Sequence, residues 1–298
     1  MGSSHPLPVP ATPAGRDGLA ALLARPEKAV VAVDFDGTLA DIVPDPEQAR
    51  AHPGAVPALA RLAPRLLSLA VITGRPAEVA VRYGGFAGVP GLEHLVVLGH
   101  YGVERWDAVS GSVTAPAPHP GVAAARAELP EVLEALTVLD GAEAGPGSSA
   151  EASHGTEAAF IEDKGGRAVA VHTRRAADPQ AAFETLREPL HRLAERHGLI
   201  VEPGRMVLEL RPPGTDKGAA LRDYVRESGA ETVLYAGDDL GDLAAFAAVE
   251  RLRSEGLPGV LVCSGSSEVT ALADRADLIV DGPAGVVALV TSLADAVA

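Results

Sequence analysis

Aromatic side chains are scarce in this chain: one Trp, four Tyr and five Phe make up 3% of its 298 residues. So thin a supply argues against stacking platforms for nucleic acid and against an aromatic-lined sugar cleft. Basic residues are also in deficit, 25 Lys and Arg against 40 Asp and Glu, for a formal net charge of −15. That field disfavours DNA, RNA and anionic membrane surfaces as partners, so an anionic small molecule must be held by individually placed cations. The one cysteine, Cys263, cannot close a disulfide within the chain, which fits a reducing compartment. It ends the apolar run Gly259-Val260-Leu261-Val262 and reads as a small core residue rather than a nucleophile. No stretch approaches the ~18 consecutive apolar residues of a membrane-spanning helix. The N-terminus lacks the charged start and apolar run of a secretory signal. The expected setting is cytoplasmic, with a small molecule as partner, no nucleic acid, no membrane, and a monomer or weak oligomer as the assembly.

What the chain does have is short apolar runs. It is 47% hydrophobic, enough for a sizeable core. Runs at Ala29–Asp34, Leu69–Thr73, Leu95–Leu98, Thr232–Gly237, Val260–Cys263 and Leu278–Val280 read as strands buried on both faces. Between them Ala77–Arg82, Lys217–Glu227, Asp242–Arg253 and Glu268–Arg275 read as helices. Thr215 or Asp216 offers an N-cap and Gly229 a C-terminal stop. This alternation predicts an α/β fold with a doubly wound, mostly parallel sheet. Four strands end in polar turns, at Asp34, Thr73, Asp238 and Ser264, so a ligand is expected along one sheet edge.

The middle of the chain has another pattern. Residues 158–173 suggest a hairpin turning at Gly165-Gly166, Pro179–His197 an amphipathic helix that Pro189 kinks or breaks, and Arg205–Arg211 a half-exposed strand. These predict an inserted α+β cap over residues 105–212 and a core split into 28–104 and 213–298. Asp140–Gly155, rich in Gly, Ser, Ala and Glu, reads as a loop. Met1 to about Gly15 reads as a disordered lead-in, and residues 1–27 as peripheral to the fold.

The chemistry gathers at the strand ends. Asp34-Phe35-Asp36-Gly37-Thr38 puts two carboxylates at the mouth of a buried strand, where they repel unless a cation or shared proton intervenes. Thr73-Gly74-Arg75 offers a hydroxyl and backbone N–H groups for phosphate oxygens, or simply a helix cap. Lys217 stands at a helix start; taken alone such a residue is most often a surface lysine. Asp238-Asp239-Leu240-Gly241-Asp242 places three acids within five residues of a strand end, a pattern suited to a hard cation.

In this order the four elements resemble the haloacid dehalogenase superfamily of phosphohydrolases, whose motifs are Asp-x-Asp-Gly-Thr, a Ser or Thr, a Lys and Gly-Asp-Asp-x-x-Asp. Leu98-Gly99-His100-Tyr101-Gly102-Val103-Glu104, Glu162-Asp163-Lys164-Gly165, Val171-His172, Glu209-Leu210-Arg211-Pro212 and Asp216-Lys217-Gly218 narrow the resemblance to trehalose-6-phosphate phosphatases. Gly241 and Leu243 depart from the Thr and Glu usual in that family's last motif, and Tyr101 interrupts a common His-Gly.

The resemblance implies a Mg²⁺-dependent phosphatase. Asp34 is the implied nucleophile, and Asp36 the acid that protonates the leaving sugar oxygen and then the base that activates water. Thr73 and Lys217 are implied to bind the phosphoryl oxygens. The metal is implied to sit on the Asp34 carboxylate, the Asp36 main-chain carbonyl and Asp238, with Asp239 and Asp242 ordering its waters or Lys217. In the cap, Lys164, His172 and Glu209 read as facing a cleft and binding sugar hydroxyls, with Arg211 as a further contact; Arg75, in the core near the cleft entrance, reads as a substrate contact or equally as a packing or capping residue. Simple strand alternation would put the same cap residues on a solvent face. A phosphatase of a related disaccharide, glycoside or aminocyclitol phosphate, and an inactive sugar-phosphate sensor, are the alternative readings.

Overall fold

The computed structural model describes residues 6–143, 159–204, 206–265 and 270–298. In chain order the elements are α1 (Pro13–Ala24), β1 (Ala29–Val33), α2 (Ala55–Leu62), β2 (Ser68–Ile72), α3 (Ala77–Gly84), β3 (Leu95–Gly99), β4 (Glu104–Asp107) and β5 (Ser112–Thr114). Then come α4 (Pro120–Glu143), β6 (Phe160–Asp163), β7 (Val169–His172), α5 (Pro179–Arg196), β8 (Ile200–Gly204) and β9 (Val207–Arg211). The chain finishes with α6 (Lys217–Ser228), β10 (Thr232–Gly237), α7 (Leu243–Ser254), β11 (Gly259–Gly265), α8 (Thr270–Ala273), β12 (Leu278–Asp281) and α9 (Gly282–Ala296). The chain divides into two units, residues 1–115 with 215–298, and residues 116–214.

The first unit is built on one sheet in the order β12-β11-β10-β1-β2-β3-β4-β5. It is parallel from β12 to β3, and β4 and β5 close that end antiparallel. Every residue of β1, β2, β3 and β10 is buried, as their unbroken apolar runs predict. Alternate residues feed two cores. Val31 and Val33 of β1 pack with Leu22, Leu59 and Leu293 on one face, while Val30 and Ala32 pack with Leu221, Phe246 and Tyr235 on the other. Each such fully buried Val or Leu contributes about 1.5–3 kcal/mol before entropy is counted. From β1 the chain winds outward through β2 and β3, and after the second unit it winds the other way through β10, β11 and β12. Strand order therefore reverses between β1 and β10, and the strand ends there splay to leave a crevice.

Two expectations need correcting. Residues 6–27 are not merely peripheral, residues 1–5 of the expected lead-in lying outside the described residues: Thr12 caps α1 by accepting from the Gly15 N–H at 3.0 Å, and Leu19 and Leu22 are buried. Gly18 lies so close to the Gly259 carbonyl of β11 that a Cβ would sit 2.0 Å from its oxygen. The Pro- and Ala-rich lead-in masks a short apolar spacing that one turn of strand contact is enough to use. The cap boundary also shifts, because β4 and β5 extend the core sheet and Trp106 is buried in it. The chain reverses after β3 through His100 and Tyr101, both left-handed with φ of 47° and 58°, and this turn has no glycine signature at those positions.

The second unit is an antiparallel sheet in the order β6-β7-β9-β8 with α4 and α5 contributing to one core. Val169, Val171, Leu208 and Leu210 point into that core against Leu129, Leu186, Leu190 and Leu193. Of the expected kink or break, the break does not occur: α5 runs through Pro189. The ring removes one hydrogen bond, but Leu186, Leu190 and Leu193 keep the helix against the sheet. Strand β8 was not foreseen in the sequence; its Pro203 is tolerated because β8 is an edge strand. The expected loop at Asp140–Gly155 begins inside α4, which runs to Glu143; its remainder lies outside the described residues. Outside them too are Ala158 of the expected hairpin, Arg205 of the expected strand and Glu268 and Val269 of the expected last helix.

Candidate active site

Strand β1 delivers Asp34 to the crevice. Its N–H donates to the Ala236 carbonyl at 2.8 Å, one residue beyond the last β1–β10 pair, and its side chain is buried. The chain then turns sharply at Gly37 (φ +74°), whose carbonyl accepts from the Ser264 hydroxyl at 2.7 Å. A Cβ on Gly37 would lie 2.0 Å from Asp238 Oδ2, so only glycine lets these two loops meet.

From the neighbouring strand end, β2 presents buried Thr73. Its N–H donates to the Leu98 carbonyl at 3.0 Å, and its Oγ1 accepts from the Arg75 N–H at 3.1 Å. A hydroxyl used in this way as an acceptor still has its proton to donate. The segment after β3 clamps this turn: His100 N–H donates to the Arg75 carbonyl and Tyr101 N–H to the Thr73 carbonyl, both at 2.9 Å. Glu104 Oε2 accepts the Ala77 N–H at 2.8 Å and so satisfies an open amide at the start of α3.

Lys217 opens α6, which Asp216 caps by accepting the Ala219 N–H at 2.7 Å. The Lys217 ammonium is buried, 2.8 Å from Asp34 Oδ1 and 2.8 Å from Asp242 Oδ1. Burial alone would lower its pKa, but the Asp242 and Asp34 charges outweigh that and hold it well above the usual lysine value. Asp242 is fully buried and accepts four hydrogen bonds. Lys217 at 2.8 Å and the Tyr235 hydroxyl at 2.5 Å reach Oδ1, while the N–H groups of Asp238 and Asp239, at 3.0 and 3.1 Å, reach Oδ2. Burial pushes its pKa up, but Lys217 and those bonds bring it below the ordinary carboxylate value.

Asp238 behaves oppositely. Burial first, then the charges of Asp239 and Asp242, push it up to about 8. Asp34 is also held well above its ordinary value by burial, with Lys217 opposing. One carboxylate oxygen from each of Asp34, Asp238 and Asp242 lies within 4.8 Å of the others. Hard oxygen donors that resist ionising side by side are what a divalent cation relieves, so these residues fit one. Because Asp242 is saturated by four donors, Asp34 and Asp238 are the carboxylates with ligand capacity to spare.

The structure thus brings Asp34, Lys217, Asp238 and Asp242 together. Asp239 Oδ1 stands 4.0 Å from Lys217 on a side chain 59% exposed. The Asp36 side chain turns to Arg75, which grips both its oxygens, Nε to Oδ2 at 2.7 Å and Nη2 to Oδ1 at 2.6 Å. Arg75, expected at the substrate, is therefore spent on Asp36. Tyr235 was not singled out in the sequence, and Ser264 was marked only as one of four polar strand ends; a polar tip on a buried strand is the signal that could have marked Tyr235.

In the second unit, Lys164 Nζ meets Glu209 Oε2 at 2.5 Å, His172 pairs with Glu162 at 2.8 Å, and Arg211 with Glu202 at 2.8 Å. Register places Glu162, Ala170, Glu209 and Glu202 in one row across β6, β7, β9 and β8, on the face away from the apolar core. Glu209 is buried and its Oε1 has no hydrogen-bond partner among the described residues. Glu162 entered only as part of the Glu162-Asp163-Lys164-Gly165 motif and Glu202 was not anticipated; recognising β8 would have placed Glu202 opposite Glu209.

The trehalose-phosphatase family model matches residues 32–278. The trehalose-phosphate phosphatase of Mycobacterium avium is 36% identical over 253 residues, covering 82% of this chain and 56% of that protein. That of Mycobacterium tuberculosis is 35% identical over 238 residues, covering 77% and 52%. The chain spans about half the length of the curated relatives it matches. Among solved structures, the Aspergillus fumigatus trehalose-6-phosphate phosphatase superposes with a TM-score of 0.64 at 25% identity, covering 97% of this chain and 99% of that one.

Proposed function

This chain belongs to the trehalose-phosphatase family, and on that premise we propose that it hydrolyses trehalose 6-phosphate to trehalose and phosphate with Mg²⁺ as cofactor. The observation that carries the reading is the buried Asp34 carboxylate at the strand-order reversal, 2.8 Å from the Lys217 ammonium. A nucleophile attacking a phosphate dianion needs its own charge offset, and Lys217 does that while remaining available to the phosphoryl oxygens.

In the first step an Asp34 oxygen bonds to phosphorus and the sugar oxygen leaves, taking a proton from Asp36. In the second, water attacks phosphorus, Asp36 takes the water proton, and the bond to Asp34 breaks with its electron pair returning to the carboxylate. The Thr73 hydroxyl and Lys217 hold the phosphoryl oxygens through both steps. Asp242 positions Lys217, and its grip on the Asp238 and Asp239 amides orders the loop. Asp34, Asp238 and the Asp36 main-chain carbonyl would hold the Mg²⁺, whose charge offsets that of the phosphoryl oxygens. On the second unit, Lys164, His172, Glu209 and Arg211 are the groups offered to sugar hydroxyls. A buried site that pairs with hydroxyls rejects analogues lacking them. A cytoplasmic setting is part of this reading, on the ground that the lone Cys263 closes no disulfide within the chain; no described helix is long and apolar enough to cross a membrane.

The test is Mg²⁺-dependent phosphate release from trehalose 6-phosphate, sucrose 6-phosphate, glucose 6-phosphate and p-nitrophenyl phosphate. Preference for trehalose 6-phosphate that a chelator removes is expected. Release from another disaccharide or glycoside phosphate alone would keep the chemistry and reassign the sugar. Asp34→Asn should cut turnover about 10⁴-fold or more with an unchanged circular dichroism spectrum, and an active Asp34→Asn protein would overturn the nucleophile.

A further inference from the structure

Asp36 is held in the first unit by a two-pronged ion pair that the reaction as written above does not use. Arg75 Nε and Nη2 each take a different Asp36 oxygen, at 2.7 and 2.6 Å. This fork fixes the carboxylate plane as well as its position, which a lysine could not do.

Arg75 itself is held on several sides. Its N–H is on Thr73 Oγ1, and its carbonyl accepts the His100 N–H. Its guanidinium carbon stands 5.3 Å from the Tyr83 ring centroid and 5.8 Å from that of Phe35. Tyr83 is pinned in turn: Arg50 lies 4.4 Å over its ring, and its carbonyl accepts the Ala51 N–H at 3.2 Å. The Arg75 side chain is 16% exposed against 39% for Asp36, so the rigid partner is the arginine.

A carboxylate gripped on both oxygens is held in place as a hydrogen-bond acceptor. Each oxygen still has a further lone pair, and the fork aims those in a fixed direction. We propose that Arg75 is a positioning residue for the second half of the reaction, holding Asp36 as the acceptor of the water proton during hydrolysis of the Asp34 phosphoester. The water oxygen bonds to phosphorus, its proton passes to Asp36, and the bond from phosphorus to Asp34 breaks with its electrons going to the carboxylate. The inference rests on the proposed function for Asp34 and Asp36.

Turnover of p-nitrophenyl phosphate tests it, because nitrophenolate leaves without a proton and the first step needs no acid. Arg75→Ala should lower kcat about ten- to a hundredfold with KM little changed. A burst of nitrophenolate equal to the enzyme concentration should appear, and acid-quenched protein should carry covalent phosphate. Arg75→Lys should recover part of kcat. Asp36→Asn should give the same burst, and adding Arg75→Ala to it should slow it no further. A raised KM with unchanged kcat would make Arg75 a substrate contact and overturn the proposal. So would a loss of kcat with no burst, as general misfolding produces, or a double variant slower by the product of the single effects. Normal turnover by Asp36→Asn would instead remove the acid–base reading of Asp36, and the role of Arg75 with it.

Discussion

The two units treat buried polarity in opposite ways. In the first, Asp242 is fully buried and answered by four donors, one an ammonium that also reaches Asp34. In the second, Glu209 is nearly as buried but has one oxygen on Lys164 and the other without a hydrogen-bond partner among the described residues. A saturated acid organises its surroundings; an acid with an oxygen to spare can accept from something else. The first arrangement suits a fixed framework that holds a reacting group, and the second suits recognition of a ligand.

Asp242→Asn attacks the saturated side and should have the largest effect on the fold. It removes a charge that Lys217 faces and turns an acceptor into a donor opposite two N–H groups, which should cost about 3–5 kcal/mol of stability by denaturant titration. A loss under about 1 kcal/mol would mean that Asp242 is not the organiser described here. Glu209→Ala probes the other side. Turnover of a disaccharide phosphate should fall about tenfold or more, while p-nitrophenyl phosphate is nearly unaffected. Equal losses on both substrates would erase the contrast between the units.

Smallest for a single step is the effect of one pH unit on the metal-free protein. Asp238 keeps its proton to about pH 8 when folded, against an ordinary value of 3.8. Between those values the folded chain holds a proton that the unfolded chain has lost. Stability should therefore fall as pH rises across that window, by at most about 1.4 kcal/mol per pH unit. Thermal midpoints in chelator from pH 5 to 8 should show this slope, Asp238→Asn should flatten it, and Mg²⁺ at pH 8 should raise the midpoint. An equally steep slope in Asp238→Asn would assign the effect elsewhere.

The sequence was most legible where burial is two-sided. Ala29–Val33 and Thr232–Gly237 could be little else than central parallel strands, and acids at their ends had to lie at a crevice. The α/β class followed from those runs. Less legible was anything decided by a partner far along the chain. The helix at Pro13–Ala24 declares itself only through Gly259 and Asp277, and β5 only through its pairing with β4. Arg75 lies 39 residues from Asp36, and nothing in Thr73-Gly74-Arg75 says which acid it will fork. Tyr235 likewise looks like any aromatic in a buried strand until Asp242 is placed beside it.

The strand-order reversal at β1 also sets a timetable. Ala29 of β1 pairs with Thr232 of β10, so the central ladder waits for roughly 200 further residues, about 10–40 s of synthesis. The second unit is one unbroken stretch whose strands all pair within it, so it can complete its sheet while that ladder is still half made. For that interval β1 has an open, wholly apolar edge, the kind of surface that chaperones bind and that aggregation recruits. The split that gathers Asp34, Lys217 and Asp238 at one crevice therefore leaves the nascent chain, before β10 emerges, as the most vulnerable form of the molecule.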